Sequence, residues 1–354
     1  MGLDWRGKRV LVTGHTGFKG SWLCEMLLGR GAELAGLALP PETKPALFEQ
    51  LGLAHRMDHA TLDICDAGAV AGRVREVAPE IVLHLAAQSL VRRSYREPVA
   101  TWATNVMGTA HLLDALNHLD RPIAVVIVTT DKVYENREWV HAYRETDRMG
   151  GHDPYSASKA GTELVAQSWR KSFGGGTHGL RIATARAGNV IGGGDWSEDR
   201  IIPDLMRALA AGQALSLRNP NSVRPWQHVL DPLTGYLALA EKLAMSPDAR
   251  WQDGFNFGPE AVDLRTVCNL VDTALGHWPG DWVDASGSTA PHEAARLALT
   301  IDKARASLGW APRWDFETAV LETVSWYRWL HEGQDVRAVT RAQIAAHQAQ
   351  AAIA

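Results

Sequence analysis

Near its N-terminus the chain passes from a short apolar run, Arg9-Val10-Leu11-Val12-Thr13, through Gly14-His15-Thr16-Gly17-Phe18-Lys19-Gly20 into a helical apolar pattern at Trp22, Leu23, Met26 and Leu27. Strand, glycine turn and helix in that order open a parallel α/β sheet. Gly14 permits a tight turn, Gly17 lets the backbone approach a pyrophosphate and Gly20 allows close helix–strand packing, while the free N–H groups of the helix face the anion. Gly14, Thr16, Gly17, Phe18, Lys19 and Gly20 therefore read as a dinucleotide cradle. A glycine turn without a ligand is the alternative, and the right context on both sides counts against it. Lys19 either adds charge near the phosphates or is a solvated helix lysine.

The pattern then repeats. A second strand spans Glu33–Leu39, and the acidic residue that binds an adenosine ribose belongs at its end, about 20 residues beyond the glycines. Pro40-Pro41 stands there instead, with Glu42 two residues late in an irregular loop; no arginine cluster offers a site for a 2′-phosphate, so NAD is favoured over NADP. Thr61-Leu62-Asp63 ends a short strand, from which Asp63 and Ile64 reach adenine, unless Asp63 or Asp66 is simply a helix cap. Ile81–Leu85 is the next buried strand, and the small residues that follow let the backbone at Leu85, Ala86 and Ala87 lie close to the cofactor. His84 reads as a satisfied core histidine, and Asn105, in an apolar helical stretch, as a brace for the active-site strand.

Val125-Val126-Ile127-Val128 is a strand buried on both faces, and ligands in such sheets bind beyond the carboxyl ends of strands. Thr130, Asp131 and Lys132 fall at that end. Tyr155 and Lys159 follow on a helix from about Tyr155 to Phe173; four residues apart, they share a face, where the ammonium lowers the phenol's pKa. An ordinary surface helix has the same spacing, so the surrounding motifs must decide. The alternation of strands and helices predicts a right-handed, doubly wound Rossmann-type parallel sheet with a smaller, discontinuous C-terminal substrate lobe. Residues 1–187 with about 226–258 make the dinucleotide-binding domain, about 188–225 and 259–331 the lobe, and 332–354 a helical tail suited to oligomer contacts.

A net charge of −4 without a basic block argues against nucleic acid or an anionic membrane as partner. Cys24, Cys65 and Cys268 are far apart and odd in number, which excludes a disulfide framework and any zinc spacing; they read as reduced thiols, and no metal is expected. There is no apolar leader and no run of about 20 apolar residues, so a cytoplasmic location is expected. Beyond the strand Leu180–Arg186, the segment Gly192–Trp196 and Arg200–Pro203 departs into the lobe. There Asn189 and Arg224 suit a diphosphate, Arg224 through the forked donors of its guanidinium; Arg200 is a weaker candidate. Trp226 and Trp196 line a pocket or simply pack. A late edge strand falls at Phe255–Gly258.

Thr13-Gly14-x-x-Gly17-x-x-Gly20, His84-Leu85-Ala86-Ala87, Thr130 and Tyr155-x-x-x-Lys159 together resemble the extended short-chain dehydrogenase/reductase superfamily, in its nucleotide-sugar branch. Within it, His15–Gly20, Thr129–Asn136, Gly150–Tyr155 and Gly188–Trp196 are similar to the CDP-glucose 4,6-dehydratases. The resemblance implies that Tyr155, helped by Lys159 and Thr130, removes the sugar 4-hydroxyl proton as hydride passes to NAD. Asp131 is then the acid and Lys132 the base of a 5,6-elimination, with Gln88, Asn189, Arg200, Arg224 and Trp226 around CDP-glucose. A homodimer or higher homo-oligomer serving deoxysugar biosynthesis for a lipopolysaccharide O-antigen is implied as well. Lys132 must lose its proton to act as a base, which Lys159, the oxidised nicotinamide and a protonated Asp131 favour; a plain pairing with a carboxylate is the other reading. A 4-epimerase, a dehydratase for another nucleotide, and a non-catalytic NAD-binding sensor are the competing functions.

Overall fold

A computed structural model describes residues 2–174, 179–260, 263–286 and 296–350. Seven strands, β1 (Arg9–Thr13), β2 (Glu33–Ala38), β3 (Asp58–Thr61), β4 (Ile81–His84), β5 (Ile123–Val128), β6 (Leu180–Ala187) and β7 (Gly254–Phe257), form one sheet in the order β7-β6-β5-β4-β1-β2-β3. Every pairing in it is parallel. The strand order reverses at β1 and β4, and the crevice at their carboxyl ends is where a doubly wound sheet binds its ligand.

All six residues of β5 are buried. Because side chains alternate along a strand, Ala124, Val126 and Val128 enter the core beneath α1 (Phe18–Gly29) and α6 (Leu230–Met245), while Ile123, Val125 and Ile127 enter the core on the opposite face. That second layer is made by α2 (Ala67–Val77), α4 (Gly108–Asn117) and α5 (Pro154–Ser172). Asp153 caps α5 by accepting from the Ser156 amide at 2.9 Å, and Pro154 opens its first turn. A further short helix, α3 (Val91–Arg96), lies between β4 and α4.

Several expected boundaries move. β2 and β4 each end one residue early and β5 starts two residues early. β3 stops at Thr61, so Leu62 and Asp63 do not end the strand; it is an edge strand with exposed Asp58 and Thr61, which blurs its hydrophobic pattern. Asp66, rather than Asp63, caps the following helix, through the Ala69 amide. β7 is the edge strand expected around Phe255.

Residues 188–225 leave the sheet through a helix, Ile201–Ala210, and short strands at 215–217 and 223–224, which pair with 282–284 and 265–266. The helix α7 (Phe316–His331) returns to the core, and α8 (Val336–Gln350) lies on its own chain. There Trp326 donates to Thr340 at 3.0 Å, His347 meets Asp231 at 2.8 Å and Arg341 meets Glu25 at 2.7 Å. The buried face of the tail thus belongs to this subunit's core; residues 351–354 lie outside the described residues. Among the described residues no helix is long and apolar enough to cross a membrane, and no three His, Cys, Asp or Glu side chains converge as a metal site.

Two histidines are held neutral inside this sheet. His15 is pushed down to about 4 by burial and by His59, and His84 to about 3 by burial and by Lys159; His84 bonds Thr13 at 2.6 Å and Thr109 at 3.0 Å. Unfolding frees both to titrate near 6.5, so the unfolded state binds protons first and stability falls as pH drops below that value. Calorimetric melting between pH 7 and 4.5 should show a falling midpoint, with a shallower slope in His84→Asn.

Candidate active site

The candidate catalytic residues gather at the end of β5. Thr130 caps a short 3-10 turn, Asp131–Val133, that leaves the strand, with its hydroxyl near the Lys132 amide at 3.4 Å. Lys159 is only 5% exposed, and its ammonium donates to the Val128 carbonyl at 3.1 Å, which docks α5 onto the strand end. Burial lowers the Lys159 pKa to about 8, against the opposing charge of Glu163.

Tyr155, 8% exposed, does not follow the expected electrostatics. Burial pushes its phenol up to about 12; a hydrogen bond with Thr130 and the charge of Arg200 work in the opposite direction, and Asp131 adds to the rise. The ammonium of Lys159 is directed to the backbone of β5, so it is not what lowers the phenol in this arrangement. Thr130 and the charge of Arg200 are what favour the phenolate.

Asp131 and Lys132 form a pair. Their contact is 3.3 Å, with Lys132 partly exposed to the cavity and Asp131 fully buried. One Asp131 oxygen takes the Thr130 hydroxyl at 2.9 Å and the lysine; the other is buried with no hydrogen-bond partner among the described residues. That second oxygen lies against Gly188, where any Cβ would collide with the carboxylate. A buried carboxylate and a half-buried amine thus share one contact at the edge of the cavity.

A cavity of about 770 Å³ runs along the strand ends. Thr130, Lys132, Tyr155 and Lys159 line it together with the glycine turn, Asp63, Ile64, and Leu85 to Gln88; Asp131 is set behind this lining. Asn189, Arg200, Arg224 and Trp226 line the other end, as does Trp196. Arg200 pairs with Asp195 at 3.2 Å, and Asn189 holds a positive φ of 36° with its amide oxygen buried and unpartnered among the described residues. Gln88 is tied to Thr101 at 2.9 Å. Lys19 lines the cavity instead of standing in solvent; burial, then Arg200, lower its pKa to about 7.

The cradle suits a pyrophosphate. A Cβ on Gly14, whose φ is +72°, would sit 2.6 Å from the Ala86 nitrogen, and one on Gly20 would strike the Gly14 carbonyl. The N-terminus of α1 carries no side-chain cap and no acidic residue in its first turn, leaving its N–H groups to an anion. At the ribose end Glu42 lines the cavity but is held by Arg93 at 3.0 Å. Asn105 braces the loop after β4 and α5 instead of the active-site strand: it bonds the Gln88 backbone and, at 2.8 Å, Ser158. It sits in a π-helical turn, Ala103–Met107, which re-aims its side chain.

Residues 11–323 match the family model for GDP-mannose 4,6 dehydratase. The chain belongs to that family. A CDP-glucose 4,6-dehydratase of Salmonella typhimurium is 46% identical over 346 residues, covering 96% of both chains. A dTDP-glucose 4,6-dehydratase of Streptomyces antibioticus is 33% identical, covering 90% of this chain and 92% of its own. Among solved structures, the dTDP-glucose 4,6-dehydratase DesIV of Streptomyces venezuelae with NAD and TYD bound aligns with a TM-score of 0.77 at 27% identity, over 92% of this chain and 98% of that one. A UDP-glucose 4-epimerase of Thermus thermophilus in complex with NAD aligns at 0.76 and 27%, over 90% and 98%. Membership therefore establishes the fold, and dehydratases and epimerases with NAD bound share it.

Two groups near the site were not singled out from the sequence. Arg92 and Arg93 of α3 line the cavity, where Arg92 approaches Asp199 at 3.7 Å. Glu163 and Arg186 form a fully buried pair at 2.9 Å; Arg186, the second of two arginines in the largely apolar strand Leu180–Ala187, is the signal that could have found it, since a charge in the middle of such a sheet requires a buried partner. The packing of Gly188 on Asp131 yields a direct expectation. Gly188→Ala should displace the Asp131 carboxylate and lower turnover at least 100-fold, while circular dichroism and melting show a folded protein.

Proposed function

We propose that this protein is a lyase that converts CDP-glucose to CDP-4-dehydro-6-deoxyglucose and water, with NAD as a recycled cofactor. The observation that carries the reading is the Asp131–Lys132 pair at the end of β5, beside Thr130 and Tyr155. An epimerase needs the tyrosine and Lys159 but no acid–base pair for an elimination. The relative from Salmonella, 46% identical and named for CDP-glucose, supports the nucleotide.

Bound NAD would take hydride from C4 and return it to C6. The work of the chain is to move protons and hold the substrate. Tyr155 Oη removes the 4-hydroxyl proton, with Thr130 hydrogen-bonded to the phenol and Lys159 fixing the helix that carries it. The resulting 4-ketone acidifies the C5 hydrogen. Lys132 Nζ, having passed its own proton to Asp131, removes that hydrogen, and Asp131 delivers a proton to the departing 6-hydroxyl as water; the Lys132 ammonium then returns a proton to C5 as hydride reaches C6. The 3.3 Å contact places the two groups where this proton passes directly between them. Arg224, Asn189 and Arg200 hold the diphosphate; Gln88 and Trp226 complete the substrate end.

NAD is favoured over NADP because Glu42 stands at the ribose end and Arg93 there is already paired with it. We assign the enzyme to the cytoplasm, in deoxysugar formation for the O-antigen of lipopolysaccharide. It acts as a homo-oligomer, a reading supported by exposed Val99, Trp102 and Leu164 on adjoining helices.

Purified protein given CDP-, dTDP-, UDP- or GDP-glucose should remove water only from the CDP sugar, read by product mass; no loss from CDP-glucose rejects the proposal. In Lys132→Met, C4 oxidation should persist, seen as absorbance of reduced cofactor, while exchange of the C5 hydrogen with solvent is abolished. Normal exchange would remove Lys132 from the mechanism.

A further inference from the structure

Glu163 is buried on α5, one helical turn beyond Lys159 and so on the same face, and does not line the cavity. Its two oxygens accept four hydrogen bonds. One oxygen takes the Thr129 hydroxyl at 2.6 Å and Arg186 Nε at 2.9 Å; the other takes the Thr184 hydroxyl at 2.7 Å and Arg186 Nη2 at 2.9 Å. The charge and donors of Arg186, with the two threonines, outweigh burial and hold this carboxyl below its usual range, so it stays ionised. Thr129 immediately precedes Thr130.

From Arg186 the network continues to the other end of the same turn. Arg186 Nη1 donates to the Tyr134 hydroxyl at 2.8 Å, which donates to Asn256 at 2.7 Å, and Tyr134 follows Asp131-Lys132-Val133 directly. Lys159 holds Val128, Glu163 holds Thr129, and Arg186 holds Tyr134. The turn bearing Thr130, Asp131 and Lys132 is thus held by Lys159 and, on both sides, by Glu163 and Arg186, neither of which lines the cavity, and a reacting group displaced by about 1 Å can cost about 100-fold in rate.

We infer that Glu163 is a positioning residue, acting through Thr129 and through Arg186–Tyr134 to set the proton-transfer turn against Tyr155. This rests on the dehydratase reading given above. If Glu163 served stability alone, loss of either threonine's bond would lower stability without acting selectively on kcat. The two threonines separate the cases, because both donate to Glu163 but only Thr129 adjoins the turn.

Glu163→Gln leaves the Arg186 charge without its partner and is prone to misfold, so the test uses the donors. In Thr129→Val, kcat on CDP-glucose should fall about 10- to 100-fold with KM within about twofold, and Thr129→Ser should restore it. In both valine variants the melting temperature should fall by a similar amount, while in Thr184→Val kcat stays within about threefold. Full activity in Thr129→Val, or equal losses of kcat in the two valine variants, overturns the assignment. A wild-type protein that does not dehydrate CDP-glucose rejects the underlying function instead, which keeps the two failures distinct.

Discussion

The hydrogen bond from Lys159 to the Val128 carbonyl joins the helix that carries Tyr155 to the strand whose end carries Thr130, Asp131 and Lys132. Both partners are buried, so the bond forms in a medium where an unmet ammonium or carbonyl would be costly. It fixes how far α5 stands from β5. The rest of the site follows from that spacing, because the phenol on one element must meet the threonine and the proton-transfer pair on the other. The parallel sheet supplies the frame, and the strand reversal at β1 and β4 opens the crevice into which these groups face.

Charge in the crevice is concentrated and poorly solvated. Lys19 and Lys159 are brought down to about 7 and about 8, chiefly by burial, and Arg200, Asp131 and Asp195 act within the same field. Such cations need little free energy to give up a proton, yet they present positive charge to a nucleoside diphosphate and a dinucleotide. Tyr155 stands apart, raised by burial to about 12, so its function as a base depends on groups that favour the phenolate. Thr130 is one of them.

Much of this was legible in the sequence because it rests on short-range rules. β1 and β5 are continuous apolar runs, the glycines of the cradle are required by close backbone approaches at Gly14 and Gly20, and Asp153-Pro154 marks the start of α5. What was not legible depends on tertiary direction. Spacing puts Tyr155 and Lys159 on one face but does not reveal that the ammonium turns to a backbone carbonyl. Asn105 was recognised as a brace, but the strand it was expected to hold is not the one it reaches, because a π turn rotates its side chain toward Gln88 and Ser158. Likewise, Asp131 beside Lys132 is visible as a dipeptide, whereas its retreat against Gly188 needs a residue 57 positions away.

In the proposed mechanism the work divides between a hydride half, built on Thr130, Tyr155 and Lys159, and an elimination half, built on Asp131 and Lys132. Thr130 joins the two halves at one turn, and in that mechanism both must act on one bound sugar without releasing it. CDP-glucose carrying deuterium at C4 tests that unity most directly, with the product examined by NMR and mass. The account predicts that the deuterium appears at C6 of the same molecule. Hydrogen from solvent at C6, or deuterium retained at C4, would contradict it.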